Sequence, residues 1–389
     1  MKPPTVGYVQ VTPNSACSGE YFLGACICCP APLPRRPDAK GDEMKRRILT
    51  VMLSWAVAGA AMAQQAVPLP ALGADLGQTT ASGLDSGGFM AGQLAAAYSS
   101  QIAGVGIIGG GPFYCAGTYP ERSTLENAAD ACMNPIARPV GADGAVSFRN
   151  ARKFAADGRI DPVQNLARQR VYVASGGNDV VVRTSVVEEV RTFYQQAGAA
   201  PGQIRYVFNG EAGHAIATDH PDDPPCAATQ PPYINNCGFV QAHEVLRHLY
   251  PERTRAAGGA PSGQLIRFDQ REFVRGLRTS MDAEAYVYVP DACRGGGCAV
   301  HVVFHGCSQG ASEIGSRFYR NVGYNEFADA NRLIVLYPQV SRSNRIPANP
   351  RGCWDFWGYS QDQQGAFFAT KQAPQMQAVM AMVERLGRK

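Results

Sequence analysis

Charge is scarce in this chain. Only 17% of its 389 residues are Asp, Glu, Lys or Arg, and the two signs nearly cancel to a net charge of +4. Such a balance gives no reason to expect nucleic acid as a partner, and no strong pull toward an anionic membrane surface. Internal repeats, Thr- or Pro-rich linkers and a separate binding module are missing too. From residue 64 onward there is no Cys-x-x-Cys pair, and His243 and His248 are wrongly spaced for one helical face, so neither a metal nor another cofactor is expected.

The N-terminal end speaks to compartment. Met44-Lys45-Arg46-Arg47 is basic, Ile48 to Ala60 is apolar, and Ala61-Met62-Ala63 is a small-x-small cleavage site, which together read as a secretory signal peptide over residues 44–63. The apolar run is shorter than the roughly 20 residues of a membrane span, so no membrane anchor is expected after cleavage. Residues 1–43, rich in Pro, Gly and Cys and without periodicity, read as an upstream segment ahead of the true start at Met44. Residues 64–389 are then one secreted domain, extracellular or periplasmic. They hold eight cysteines (Cys115, Cys132, Cys226, Cys237, Cys293, Cys298, Cys307 and Cys353), an even number that suits a disulfide set in an oxidising compartment. Joining sequence neighbours is the simplest pairing, although eight cysteines allow about 105 connectivities.

Along this domain, apolar runs alternate with helical patterns. Gly88 to Ile102 reads as a helix, with Phe89, Leu94, Ala95 and Tyr98 near one face, and Gly104 to Ile108 as a buried strand. Pro120 to Asp161 reads as irregular. Arg170 to Ala174 and Ile204 to Phe208 read as strands flanking a helix from Thr184 to Gln195. After a flexible Ala256–Gly263 connection, strands are expected over Gln264 to Val274, Glu284 to Val289, Cys298 to Phe304 and Leu333 to Tyr337, with helices over Glu313 to Arg332 and Gln375 to Leu386. That alternation indicates βαβ units and a largely parallel sheet, an α/β fold.

The stretch around which these elements are organised is Ser82-Gly83-Leu84-Asp85-Ser86-Gly87-Gly88. It has the layout of a nucleophile elbow, a strand-to-helix turn so sharp that the residues two before and two after its centre must be small. Gly83 and Gly87 meet that demand around Asp85. Parallel sheets bind ligands at the carboxyl ends of their strands, and Asp85, Asp179 and His214 each follow a predicted strand in the order nucleophile position, acid, histidine. In that order His214 is the candidate general base and Asp179 the residue that orients it. Taken singly, an Asp after a strand is often a helix cap and a loop His a surface residue. Two readings remain for Gly306-Cys307-Ser308-Gln309-Gly310: a second G-x-S-x-G elbow, or, favoured here, an oxyanion loop opened by His305-Gly306 directly after a strand. The second reading puts the oxyanion strand after the histidine, which makes the chain a circular permutation. The aromatic run Trp354 to Tyr359 is either a buried corner or a cleft lining.

At these residues the chain resembles the single-domain, circularly permuted extracellular poly(3-hydroxybutyrate) (PHB) depolymerases, from about Leu72 to the C-terminus. The resemblance rests on Ser82 to Ala91, Gly110-Gly111-Pro112 before Cys115, Gly177-Asn178-Asp179, Gly213-His214, Leu249-Tyr250, Phe304-His305-Gly306-Cys307 and Gly352-Cys353-Trp354-Asp355. It implies a disulfide-bonded α/β-hydrolase fold, helices on both faces of a mostly parallel sheet, and hydrolysis of a polyester or hydroxyalkanoate oligomer by a monomeric enzyme. Asp179 and His214 match the acid and base, the N–H groups of Ser86 and Cys307 match the oxyanion hole, and Trp354 matches a substrate-cleft aromatic.

Where that family has Gly-Leu-Ser-Ser-Gly-Gly, this chain has Asp85 at the first serine. Three outcomes follow. Ser86, or a water activated by His214, takes over and leaves weak esterase activity. Asp85 acts as a carboxylate nucleophile, as in the dehalogenase branch of the α/β-hydrolases, which suits an alkyl electrophile better than an ester carbonyl. Or catalysis is impaired and the chain is a polyester-binding protein.

Overall fold

The computed structural model describes residues 66–275, 278–361 and 367–389. The upstream segment and the signal peptide expected at the N-terminus lie outside the described residues. Ten strands are assigned within these: β1 (Asp75–Leu84), β2 (Ile102–Ile108), β3 (Arg170–Gly176), β4 (Ile204–Asn209), β5 (Ile216–Thr218), β6 (Ile234–Asn236), β7 (Gln264–Asp269), β8 (Glu284–Val289), β9 (Ala299–Phe304) and β10 (Leu333–Tyr337). Eight of them form one sheet in the order β4-β3-β2-β1-β9-β10-β8-β7, while β5 and β6 pair separately. From β4 to β10 every pairing is parallel, and β8 and β7 add antiparallel at one edge.

Central position follows from composition. The last six residues of β1 are all buried, and β9 and β10 are buried throughout as runs of β-branched and aromatic residues, the signature of strands covered on both faces. One face carries the helices Ser86–Ala97, Gly144–Ala156, Thr184–Gln196 and Pro374–Gly387, whose Leu94, Phe154, Phe193 and Met376 share a core. The opposite face carries Gln241–Leu249 and Tyr324–Asn331, with Val245, Leu246 and Phe327 in a second core. Helices on both faces of a mostly parallel sheet is the architecture that the alternation of patterns implies.

Four local expectations need correction. The helix read as far as Ile102 ends at Ala97, and Ile102 already opens β2. Pro120 to Asp161 is not irregular throughout. Gly144–Ala156 is a helix, capped by the Asp143 carboxylate on the Val146 N–H at 2.8 Å. Its buried positions are Gly144, Ser147, Ala151 and Phe154, a helical spacing in which three of the four residues are small and which is therefore faint in sequence. The region Glu313 to Arg332 is three short helices rather than one, because Gly315 at φ 62° and Gly323 at φ 92° take the chain out of helical geometry. The strand from Gln264 stops at Asp269, and Arg271–Phe273 is a single 3-10 turn.

The pairs Cys115–Cys132, Cys226–Cys237, Cys293–Cys298 and Cys307–Cys353 are disulfides, each joining sequence neighbours. Beneath the elbow strand lies a polar ladder. His301 on β9 is bonded to Thr80 at 2.6 Å and Ser82 at 2.8 Å, and Ser82 also bonds the Tyr324 hydroxyl. Burial pushes the His301 pKa down to about 3, so this histidine is a neutral strut between strands.

Candidate active site

Because β1, β9, β3 and β4 run parallel, the turns that leave them open at one edge of the sheet. Asp85 stands at the top of β1 with φ 57° and ψ −127°, an unusual backbone for a residue with a side chain. The turn closes only because its flanks lack side chains: a Cβ on Gly83 would lie 2.4 Å from the Gly87 backbone, and one on Gly87 would lie 2.4 Å from the carbonyls of Phe304 and His305. The helix that follows, Ser86–Ala97, is buried at all twelve positions rather than along one face.

Asp179 and His214 arrive from β3 and β4. One Asp179 oxygen accepts the N–H groups of Val181 and Val182, both at 2.8 Å, and the other accepts from His214 Nδ1 at 2.8 Å. Gly109 leaves room for this pair, since a Cβ there would come 3.3 Å from Asp179 Oδ2. The His214 loop is pinned by its own N–H on Thr229 Oγ1 at 3.0 Å and by the Gly213 N–H on the Cys226 carbonyl, next to the Cys226–Cys237 disulfide.

The His214 ring turns its other nitrogen to the elbow, with Nε2 3.8 Å from Asp85 Oδ1. Burial favours the neutral imidazole. The hydrogen bond and charge of Asp179, with the charge of Asp85, outweigh it and hold the His214 pKa above its ordinary value.

The loop after β9 completes the cluster. The Cys307 N–H donates to Asp85 Oδ2 at 2.8 Å, while Asp85 Oδ1 is buried without a hydrogen-bond partner. His305 shapes the turn by donating from Nδ1 to the Gly306 carbonyl and accepting the Val340 N–H at Nε2, and its burial lowers its pKa to about 4. Gln309 ties this loop to the opposite wall, accepting the Gly306 N–H and donating to the carbonyls of Pro232 and Tyr233. Ser308 also faces the cleft, but the ring nitrogen of His214 that is not on Asp179 faces Asp85.

A cleft of about 370 Å³ opens over Asp85 and His214. Its walls are mostly apolar, with Leu125, Met133, Val181, Phe356 and Trp357 among them, and Arg351 at the Cys307 side. Among the described residues no group of acidic, His and Cys side chains could hold a metal ion, and no helix is long and apolar enough to cross a membrane.

No family model matches the chain. A poly(3-hydroxybutyrate) depolymerase of Delftia acidovorans is 41% identical over 344 residues, 85% of this chain and 65% of that protein, so the chain spans slightly less than two thirds of that relative. A polyhydroxybutyrate depolymerase of Talaromyces funiculosus is 32% identical over 87% of this chain and 97% of its own length. The chain belongs to the PHB depolymerase family. Solved structures of a PHB depolymerase from Penicillium funiculosum and of a PHB depolymerase complexed with an R3HB trimer each superpose with a TM-score of 0.73, at 30% identity, over 83% of this chain and all of theirs.

Within this chain two expectations shift. Trp354 does not line the cleft. Its side chain is fully buried between Phe304 and His305, at ring distances of 4.9 and 5.7 Å, and the aromatics at the cleft wall are Phe356 and Trp357. Ser86 is fully buried and is not among the residues that line the cleft; its Oγ accepts the Trp354 N–H at 3.2 Å and sits 3.3 Å from the disulfide sulfur of Cys307. Sequence reading also missed three contributors. Asp355, fully buried, accepts the N–H groups of Trp357, Gly358, Tyr359 and Ser360 and so folds the aromatic loop. Tyr233 packs edge-on to His214 at 5.9 Å. The segment around Leu125 and Met133, braced by Cys115–Cys132, forms a wall of the cleft. Its disulfide was the only signal for it in the sequence.

Proposed function

We propose that the chain is an exported carboxylic-ester hydrolase of the PHB depolymerase type, whose cleft receives a polyester or hydroxyalkanoate oligomer and whose turnover is restrained by Asp85. One arrangement carries this reading: His214 faces Asp179 with one nitrogen and Asp85 with the other, while the Cys307 N–H meets the same Asp85 carboxylate. In it, Asp179 holds the His214 tautomer and stabilises the imidazolium, and His214 moves the proton. The N–H groups of Cys307 and Ser86 stabilise the oxyanion, Ser86 being the first residue of its helix, where N–H groups lack intrahelical partners. The names of the relatives and the R3HB trimer bound to one neighbour support the substrate class.

Circular permutation is supported by strand order. Counted from β7 and skipping the small pair, the oxyanion strand β9 and its neighbour β10 precede the elbow strand β1 across the sheet, the sequence of parts that an unpermuted α/β-hydrolase has along its chain. Export is supported by the signal-like residues 44–63 and by four disulfides.

Asp85 puts negative charge on the donor that a tetrahedral oxyanion needs. With Ser86 buried outside the cleft lining, the attacking group left for an ester is a water activated by His214. The same contact favours a second reading, a polyester-binding protein with impaired catalysis. The test is hydroxy-acid release from amorphous PHB, with p-nitrophenyl ester turnover, for the protein from Gln64 onward, its Asp85→Ser variant and that variant combined with His214→Ala. We expect Asp85→Ser to exceed the natural protein by about 10³ or more, and His214→Ala to remove the gain. Granule binding without any release by the natural protein would favour the second reading. No gain from Asp85→Ser would refute the placing of the nucleophile at residue 85 and turn attention to Ser308.

A further inference from the structure

Asp85 is not merely a lost serine. Its two carboxylate oxygens are differentiated: Oδ2 accepts the Cys307 N–H at 2.8 Å, whereas Oδ1 has no hydrogen-bond partner although the residue is only 3% exposed. Oδ1 faces the cleft side of the site with His214 Nε2 3.8 Å away, and with no hydrogen bond to occupy its lone pairs it is the carboxylate oxygen left to meet an electrophile that enters. Carboxylates attack ester carbonyls poorly, because the mixed anhydride formed returns to reactants. They displace a leaving group from a saturated carbon well. The cleft lining also includes one cation, which can balance the charge of an anionic leaving group. Arg351 lines it and forms no ion pair among the described residues, and its backbone is fixed beside the Cys307 turn by the Ser308 N–H on the Arg351 carbonyl at 2.7 Å.

We propose that Asp85 is a nucleophile toward strained alkyl esters, and that the protein opens β-lactones by alkyl–oxygen cleavage to release 3-hydroxy acids. This inference uses the same cleft as the reading above but does not depend on polyester turnover. In the first step Asp85 Oδ1 bonds to the saturated β-carbon of the lactone, and the ring bond from that carbon to oxygen breaks. The electron pair leaves on the new carboxylate beside Arg351, and no proton moves. Asp85 is now an alkyl ester, uncharged. In the second step a water gives a proton to His214 Nε2 and adds to Asp85 Cγ, placing the oxyanion on Oδ2 at the Cys307 N–H. Collapse expels the former Oδ1 as the hydroxyl of the product, which takes the proton back from His214. The second proton of the water is lost to solvent as Asp85 returns to carboxylate. The sum is lactone plus water giving a 3-hydroxy acid anion and one proton.

The decisive experiment uses β-butyrolactone and oxygen-18 water, with the protein in excess so that each molecule turns over once. The expected result is 3-hydroxybutyrate without label, and one oxygen-18 in the peptide that contains Asp85. Spontaneous or general-base hydrolysis labels the product and leaves that peptide unlabelled, which would overturn the proposal, as would no acceleration over the spontaneous reaction. Two variants give independent readouts. His214→Gln should accumulate the Asp85 peptide heavier by one lactone, whereas Asp85→Asn should show neither adduct nor acceleration. Arg351→Met should raise KM for the lactone about tenfold or more while the label still goes to Asp85. If β-butyrolactone is opened through Asp85 and PHB is untouched, the polyester reading fails and this one stands; the converse separates them equally well.

Discussion

The elbow geometry can be tested at Gly87 without reference to activity. A methyl group there would sit 2.4 Å from the carbonyl oxygens of Phe304 and His305 and 2.7 Å from the Phe304 carbonyl carbon. That is about 1 Å inside ordinary contact, and all three atoms are backbone, so no change of rotamer relieves it. Over-packing a well-filled interior costs typically 1–3 kcal/mol, and two backbone clashes at once put Gly87→Ala at about 3 kcal/mol or above. Gly88 is the internal comparison, since its new Cβ would stay 3.1 Å from the Ile108 carbonyl and 3.2 Å from that of Gly83. There the gain of about 1 kcal/mol in helix propensity offsets the tight contact, and the net change should stay within about 1 kcal/mol of zero. Gly202, with nothing within 4 Å, should gain a few tenths of a kcal/mol, up to about 1, from a stiffer unfolded chain. Urea unfolding with the disulfides intact measures all three. A Gly87→Ala protein with an unchanged midpoint, or one less affected than Gly88→Ala, would refute the packing described for the turn.

Two more outcomes follow from the site. Trp354→Ala should cost about 3–5 kcal/mol because it empties a fully buried position, whereas Trp357→Ala, at a half-buried ring, should cost clearly less and should weaken binding of a hydroxyalkanoate oligomer by calorimetry; the opposite order would mean that the two rings have been given the wrong places. The Asp85 carboxylate is one of the charges that raise the His214 pKa, so Asp85→Asn should lower it. The sign is fixed: with less negative charge nearby the imidazolium is less favoured, so neutral imidazole appears at lower pH. A proton NMR titration of His214 reads this directly, and an unchanged or higher value would show that the two side chains do not interact.

Much of this protein was legible one residue at a time. The strands Glu284–Val289 and Leu333–Tyr337 coincide with their sequence readings, because a run of β-branched and aromatic residues bounded by turn formers permits little else. The elbow was visible because its demand for glycine at two fixed offsets is local; the sequence leaves many disulfide pairings open, and the fold selects the simplest one, between sequence neighbours. The helix Gly144–Ala156 was not, since small residues can form a buried face without raising the apolar signal.

What the sequence alone determined was which residues have chemistry to offer and in what order: Asp85, Asp179, His214 and the His305-Gly306-Cys307 turn. Only the tertiary structure decided which of them meet. The parallel order of β3, β2, β1 and β9 brings four chain ends to one edge, and that places a backbone N–H from residue 307 against a carboxylate at residue 85. It also decided that Trp354 is core while Trp357 is wall, a choice the aromatic run could not make, because it depends on how the buried Asp355 carboxylate turns the loop. Long-range contacts of this kind depend on parts of the chain hundreds of residues apart, and periodicity and spacing report only on neighbours.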